Sequence, residues 1–144
     1  MKKFFHLTLF FITICIYTQE KKVLQSDKAP LPIGPYSQAI YSEPWIFLSG
    51  QIGMDAKGKM DTISVEKQAR QVFENIRHIL ESAGVNMQQV VKVTIYLKNI
   101  SDFSLVNKIY SEYFREPYPA RETVEVCRLP KNAKIEVSVI ARIQ

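Results

Sequence analysis

Cysteine and histidine are nearly absent from this chain. Its 144 residues include two cysteines, Cys15 and Cys127, and two histidines, His6 and His78. Cys15 and His6 fall in an apolar N-terminal stretch, which leaves any folded remainder one thiol and one imidazole. A lone thiol cannot close an intrachain disulfide, so the chain is not a disulfide scaffold. A nucleophilic thiol also needs a base, and His78 lies inside a helical pattern, where it reads as a helix-surface residue. Charge of one sign is in modest excess, 19 basic against 14 acidic residues. Past the first 20 positions no basic run exceeds Lys21-Lys22, the pattern of a solvated surface and not of a nucleic-acid stripe. Internal repeats and low-complexity tracts are missing as well.

What remains is the composition of a folded protein, 47% hydrophobic and 23% charged. The length fits one domain able to bury a core without staples. The exception is the N-terminus. Met1-Lys2-Lys3 is basic, and Phe4 to Tyr17 is almost wholly apolar. That run is shorter than the ~20 residues a spanning helix needs and has the length of a signal-peptide core. Residues 1–18 are therefore expected to be a cleaved signal, 19–28 a polar lead-in and 29–144 the domain. The expected location is exported, periplasmic or secreted, with an uncleaved membrane anchor as the alternative. A lipoprotein at Cys15 is disfavoured by the bulky Ile14. Loss of Lys2 and Lys3, two of the 19 basic residues against 14 acidic, lowers the formal charge from +5 to +3.

Along the domain, Tyr36–Tyr41 and Trp45–Gln51 predict two strands joined as a hairpin across Ser42-Glu43-Pro44. Ser64 is placed to cap a helix whose apolar positions run from Val65 to Ala83, with Gly84 as its stop. Val91, Val93, Ile95 and Leu97 alternate with polar residues, the signature of a strand with one buried face. A second helix begins at Ser101 or Asp102, carries the stripe Phe103, Val106, Tyr110, Tyr113 and Phe114, and ends before Pro117 and Pro119. Strands follow over 122–129 and 134–143. The expected order is ββαβαββ, an α+β fold with a mixed sheet and two helices on one face. The other face of such a sheet needs cover, and oligomerisation supplies it.

Several short segments occur in a fixed order: Gly34-Pro35-Tyr36-Ser37-Gln38-Ala39, Ser49-Gly50-Gln51, Val106-Asn107-Lys108-Ile109-Tyr110, Pro119-Ala120-Arg121, Leu129-Pro130 and Lys134-Ile135-Glu136. Together, and across nearly the whole domain, they resemble the reactive intermediate deaminase family (Rid, or YjgF-type). The resemblance implies a chorismate-mutase-like fold, a homotrimer with ligand clefts between subunits, no cofactor or metal, and hydrolysis of imines or enamines such as 2-aminoacrylate to 2-oxo acids and ammonia.

By the same resemblance, Arg121 binds the substrate carboxylate, which a guanidinium grips through two parallel bonds. Glu136 orders or activates water, although strand alternation alone also explains an outward glutamate there. Tyr36 offers an aromatic wall or a hydroxyl, Ser49 a donor to a substrate oxygen, and Gly50 room for close backbone approach. Asn107 fits either a ligand contact or an amide that fixes a loop. Thr123 stands where many family enzymes have cysteine, which alters pocket width and polarity. Gly53 stands where proline is frequent, and a more flexible rim is expected.

Two functions fit these residues, an imine/enamine deaminase and a non-catalytic binder of small carboxylates. Ribonuclease activity, attributed to some family members, has weaker support because the domain has no histidine pair. One geometric expectation concerns assembly. Only Pro130 to Ala133 separate the last two strands, which should run antiparallel with Arg121 and Glu136 at opposite ends, about six residues or ~20 Å apart. A small imino acid cannot span that gap, so one site would need two chains. The leader makes its own prediction. The intact mass of protein from the native host should lack about the first 18 residues, a length within the signal-peptide range. A full-length cytosolic species as the main form would reject export.

Overall fold

The computed structural model describes residues 20–143, and the expected leader over 1–18 lies outside them. No helix among the described residues is long and apolar enough to cross a membrane. The strands are β1 (Lys22–Leu24), β2 (Ala39–Ser42), β3 (Trp45–Ile52), β4 (Val90–Leu97), β5 (Ala120–Glu125) and β6 (Ile135–Arg142). The helices are α1 (Val65–Glu81) and α2 (Phe103–Tyr113). One six-stranded sheet runs in the order β1-β2-β3-β6-β4-β5. Only the β4–β5 pair is parallel.

Alternation along β6 explains why the last strand sits in the middle. Ile135, Val137, Val139 and Ala141 are fully buried on one face, and only a central strand has neighbours on both sides to share that core. The α1 residues Val72, Phe73, Ile76, Ile79 and Leu80 recur at helical spacing and close over the same face. Ser64 caps α1 by accepting a hydrogen bond from the Lys67 amide at 3.2 Å. Gly84 follows with φ of +70°, the left-handed conformation expected of the stop.

Four expectations are corrected. The lead-in over 19–28 contributes a strand, β1, which pairs with β2. Tyr36 and Ser37 precede β2, because the buried Gln38 side chain turns inward to bond Ser26, Ala29 and Pro30. The fifth strand covers 120–125 and not 122–129, since its ladder lasts only as long as its partner β4. Finally, β5 and β6 do run in opposite directions, but β4 lies between them. Amide-to-carbonyl bonds from Val126 to Leu97 and from Lys98 to Lys134 hold the connecting segment around the end of β4.

Two fully buried polar residues of α1 fasten the strands that carry the site. Gln68 donates to the Asp61 carbonyl at 2.6 Å and accepts from the Lys134 amide at 2.7 Å. Asn75 donates to the Ile52 carbonyl at 3.2 Å and to that of Met54 at 2.8 Å. Each buried amide satisfies backbone groups that would otherwise cost about 1–3 kcal/mol apiece. Gly53 is not a flexible rim. A Cβ there would lie 2.5 Å from the Cα of Gln68, so the missing side chain permits close packing of the β3 end on α1.

Candidate functional site

Opposed residues on neighbouring strands point to the same face of a sheet. Arg121 pairs with Val93 and Thr123 with Ile95, so both are on the helix-covered face. Glu136 lies between the buried Ile135 and Val137 and opposes Tyr96, so it points to the other face. The register also sets the distance along the strands. Arg121 is level with Val93, and Val93 with Val139, three residues from Glu136. The offset is therefore ~10 Å along the strands, half the ~20 Å expected, with two strand spacings of ~4.8 Å across. The separation stands on a stronger footing than length alone, because the sheet itself lies between the two side chains.

The register of β3 against β6 shifts between Leu48 and Gln51, with one extra residue on β3. The bulge carries Ser49 and Gly50. A Cβ built on Gly50 would fall 1.9 Å from Glu136 Oε1. The space read from sequence as room for a ligand is thus occupied by the Glu136 carboxylate, lying over bare backbone. Among the described residues this carboxylate has no ion pair and no hydrogen-bond partner. Burial raises its pKa above the ordinary carboxylate value. The folded protein holds this proton more tightly than the unfolded chain does. The carboxyl therefore favours the fold at acid pH and costs stability as pH rises through its folded pKa.

A pocket of about 330 Å³ opens beside it, lined by Tyr36, Ser49, Gly50 and Glu136. Leu31, Ile33, Ile52 and Met54 give it apolar walls. The Ser49 hydroxyl donates to the Ser37 carbonyl at 2.7 Å, so its proton is already committed. The Tyr36 hydroxyl accepts from the Ile33 amide at 3.2 Å, which leaves its own proton free to donate.

Arg121 faces a second, more open pocket of about 370 Å³ with Asn107, Ser111 and Tyr118. Its guanidinium carbon lies 4.6 Å from the Tyr110 ring centre and 5.7 Å from that of Phe103. Such contacts contribute about 0.5–2 kcal/mol each and fix the plane of the donor fork. Among the described residues no carboxylate pairs with Arg121. A cation steadied by rings and left without a counter-ion is a ready anchor for an anion. Burial pushes the Tyr110 phenol up to about 12, so it stays neutral beneath the cation.

The structure thus brings Tyr36, Ser49, Gly50 and Glu136 together in one pocket and Asn107 and Arg121 in another. Thr123 lines neither, although it shares a face with Arg121 two residues away. The aromatic bed under Arg121 escaped the sequence reading because Phe103 and Tyr110 also satisfy a core stripe. The apolar pocket wall escaped it because Leu31 and Ile33 sit in a proline-flanked loop with no period. The described residues contain no group of three or more His, Cys, Asp or Glu side chains arranged to hold a metal ion.

Residues 26–143 match the family described as Endoribonuclease L-PSP. A RutC family protein of Pyrococcus horikoshii is 50% identical over 122 residues, 84% of this chain and 97% of that protein. The 2-iminobutanoate/2-iminopropanoate deaminase of Homo sapiens is 43% identical over 122 residues, 84% of this chain and 89% of its own. Among solved structures, RidA from the Antarctic bacterium Psychrobacter sp. PAMC 21119 superposes with a TM-score of 0.82 at 40% identity, covering 85% of this chain and 99% of that one. Escherichia coli TdcF with bound serine superposes with a TM-score of 0.81 at 35% identity, covering 85% and 99%. With this extent of match in sequence and in the chorismate-mutase-like layout, the chain belongs to the Endoribonuclease L-PSP family, the group of the reactive intermediate deaminases (Rid, YjgF-type).

Proposed function

We propose that this protein hydrolyses carboxylate-bearing imines and enamines to 2-oxo acids and ammonia, in sites each formed by two chains of a ring of three. The observation that carries the proposal is the Glu136 carboxyl, half-buried and without a partner among the described residues, in the lining of a pocket. Relatives at 42–44% identity are named as imine or reactive-intermediate deaminases, which supports the same chemistry here.

In this reading Arg121 of one chain grips the substrate carboxylate, with Asn107 and Thr123 beside it. Glu136 and the Tyr36 hydroxyl come from the neighbouring chain, with Ser49 and Gly50 shaping the floor. Glu136 accepts a proton from water as its oxygen adds to the imine carbon. The nitrogen gains protons, the carbon–nitrogen bond breaks, and ammonia leaves as the new hydroxyl becomes a carbonyl. An enamine first takes a proton on its terminal carbon and then follows the same route. The chain's own residues supply acid, base and anchor. Assembly is supported by the helix-free face of the sheet, where Phe47 and Val124 are exposed beside Tyr96 and Ile140. A closed ring covers such faces with copies of themselves. We place the activity outside the cytoplasm, on the strength of Lys2-Lys3 and the apolar run that follows.

The ribonuclease reading has little to work with here. The single described histidine, His78, is half-buried on α1 against Arg77.

Imino acids generated in place by an amino-acid oxidase give the test, with 2-oxo acid release compared with the uncatalysed background. Arg121→Lys keeps the charge and loses the two-point grip. Loss of a charge-assisted bond of ~1.5–3 kcal/mol should lower kcat/KM about tenfold to a hundredfold with the fold unchanged. Near-normal turnover would show that the anchor is misassigned. A second variant, Gly50→Ala, should displace the movable carboxylate of Glu136 and leave the backbone in place. Activity should fall toward that of Glu136→Gln, about 10²–10⁴-fold below the native protein, while the melting temperature stays near native. The native rate should rise with pH through the raised Glu136 pKa, and that limb should vanish in Glu136→Gln. Full activity in Gly50→Ala would show that the Glu136 position does not matter.

A further inference from the structure

We infer that the Tyr110 hydroxyl is a second donor to the ligand carboxylate, completing the grip of Arg121 from within the same chain. The inference rests on the proposed role of Arg121 and adds to it a hydroxyl that the fold itself leaves unused.

Tyr110 belongs to the apolar stripe of α2 and is only 5% exposed. Its ring stacks on Phe114 at 4.4 Å between centres and meets Phe73 edge-on at 6.0 Å. The Arg121 guanidinium carbon lies 4.6 Å from the same ring centre. The ring is clamped between the core and the cation, and close packing holds it in one place. A phenylalanine would serve every one of these contacts. The hydroxyl is the part they do not explain.

Among the described residues the Tyr110 hydroxyl is buried and has no hydrogen-bond partner. Buried polar groups are nearly always paired, so an orphan calls for a reason. Tyr110 lines the cavity of about 370 Å³ that also holds Arg121. The donor without an acceptor and the cation without a counter-ion thus share one space, and a carboxylate satisfies both. A carboxylate offers about four acceptor positions on its two oxygens. The guanidinium fork takes two of them through parallel bonds. The others stay open to a phenol O–H. Burial pushes the phenol up to about 12, against the opposing pull of the Arg121 cation, so its proton stays available across the neutral range. Tyr118 closes the outer wall of the cavity, 6.5 Å from Tyr110 between ring centres. It is 52% exposed and forms no hydrogen bond among the described residues, so its ring is free to turn aside as an anion enters.

The test uses the full protein, with 2-oxobutanoate as the probe. Its Kd is read by calorimetry, beside kcat and KM for the imine made in place from 2-aminobutyrate and the melting temperature of the unliganded protein. Tyr110→Phe keeps the ring and removes only the hydroxyl. Loss of one hydrogen bond to a charged group should weaken 2-oxobutanoate binding about tenfold to a hundredfold. KM should rise by a similar factor with kcat little changed, because the carboxylate is held alike in the ground state and the transition state. The melting temperature should hold or rise, since the variant removes a buried group that has no partner in the empty site. A hydroxyl with a purely structural role would lower it. Arg121→Ala serves as the reference for the anchor. Native affinity in Tyr110→Phe beside lost affinity in Arg121→Ala would overturn the inference and keep the anchor. Native affinity in Arg121→Ala would overturn both. A lowered melting temperature or a misfolded Tyr110→Phe protein would also overturn the inference, by showing that the fold already uses the hydroxyl.

Discussion

The contact between the Glu136 carboxylate and the bare backbone of Gly50 governs the site. A carboxyl group without ion pair or hydrogen bond is costly to bury ionised. It stays beside the β3 bulge because Gly50 has no side chain to push it away. The surrounding structure secures that placement. Gln68 ties the Lys134 amide to α1, two residues before Glu136, and Asn75 ties the end of β3 to the same helix. The bulge and the start of β6 are thus referenced to one rigid element. The raised pKa follows from the same burial, so the ionised carboxylate costs the folded state some stability as pH rises through that pKa. Stability given up at one point and recovered in the buried helix–sheet layer is a common arrangement in functional sites.

The second constraint is that the sheet has two faces. Arg121 stands on the helix side with its aromatic bed, and Glu136 stands on the open side. No side-chain rotation within one chain brings them to a common substrate. In our reading the exposed apolar face and the divided site have a single resolution, since a neighbouring copy that covers the face also delivers its own half of the cleft. In that proposal the Arg121 half would supply charge and orientation, and the Glu136 half the reacting groups. In the proposed assembly, binding and chemistry would both depend on the pairing of chains.

Much of this was legible in the sequence, and the gaps have physical causes. The period of Val72, Ile76 and Leu80, with Ser64 and Gly84 at the ends, marked α1 because caps and core face are local signals. The alternation of β6 was equally plain. Strand β1 was missed because three residues carry no period, and its identity comes from pairing with β2. The insertion of β4 between β5 and β6 has no local signal, so the distance from Arg121 to Glu136 was overestimated, although the two residues do lie on opposite faces of the sheet. Arg121 and Glu136 were singled out as candidates by an ordered set of motifs. The neighbours that define them, Tyr110 beneath the cation and Gly50 beneath the carboxylate, appear only once the chain is folded. Gly53 was misread as slack because a close approach to a helix backbone is invisible in one dimension.

The central claim is that one active site takes its anchor and its proton acceptor from different chains. Refolding a mixture of Arg121→Ala and Glu136→Ala proteins tests it most directly. Each variant alone should be inactive in imine hydrolysis. Mixed assemblies should regain a fraction of native activity, because some clefts then pair an intact Arg121 with an intact Glu136 from its neighbour. Mixed assemblies that form and stay inactive, or a fully active protein that sediments as a single chain, would contradict the account.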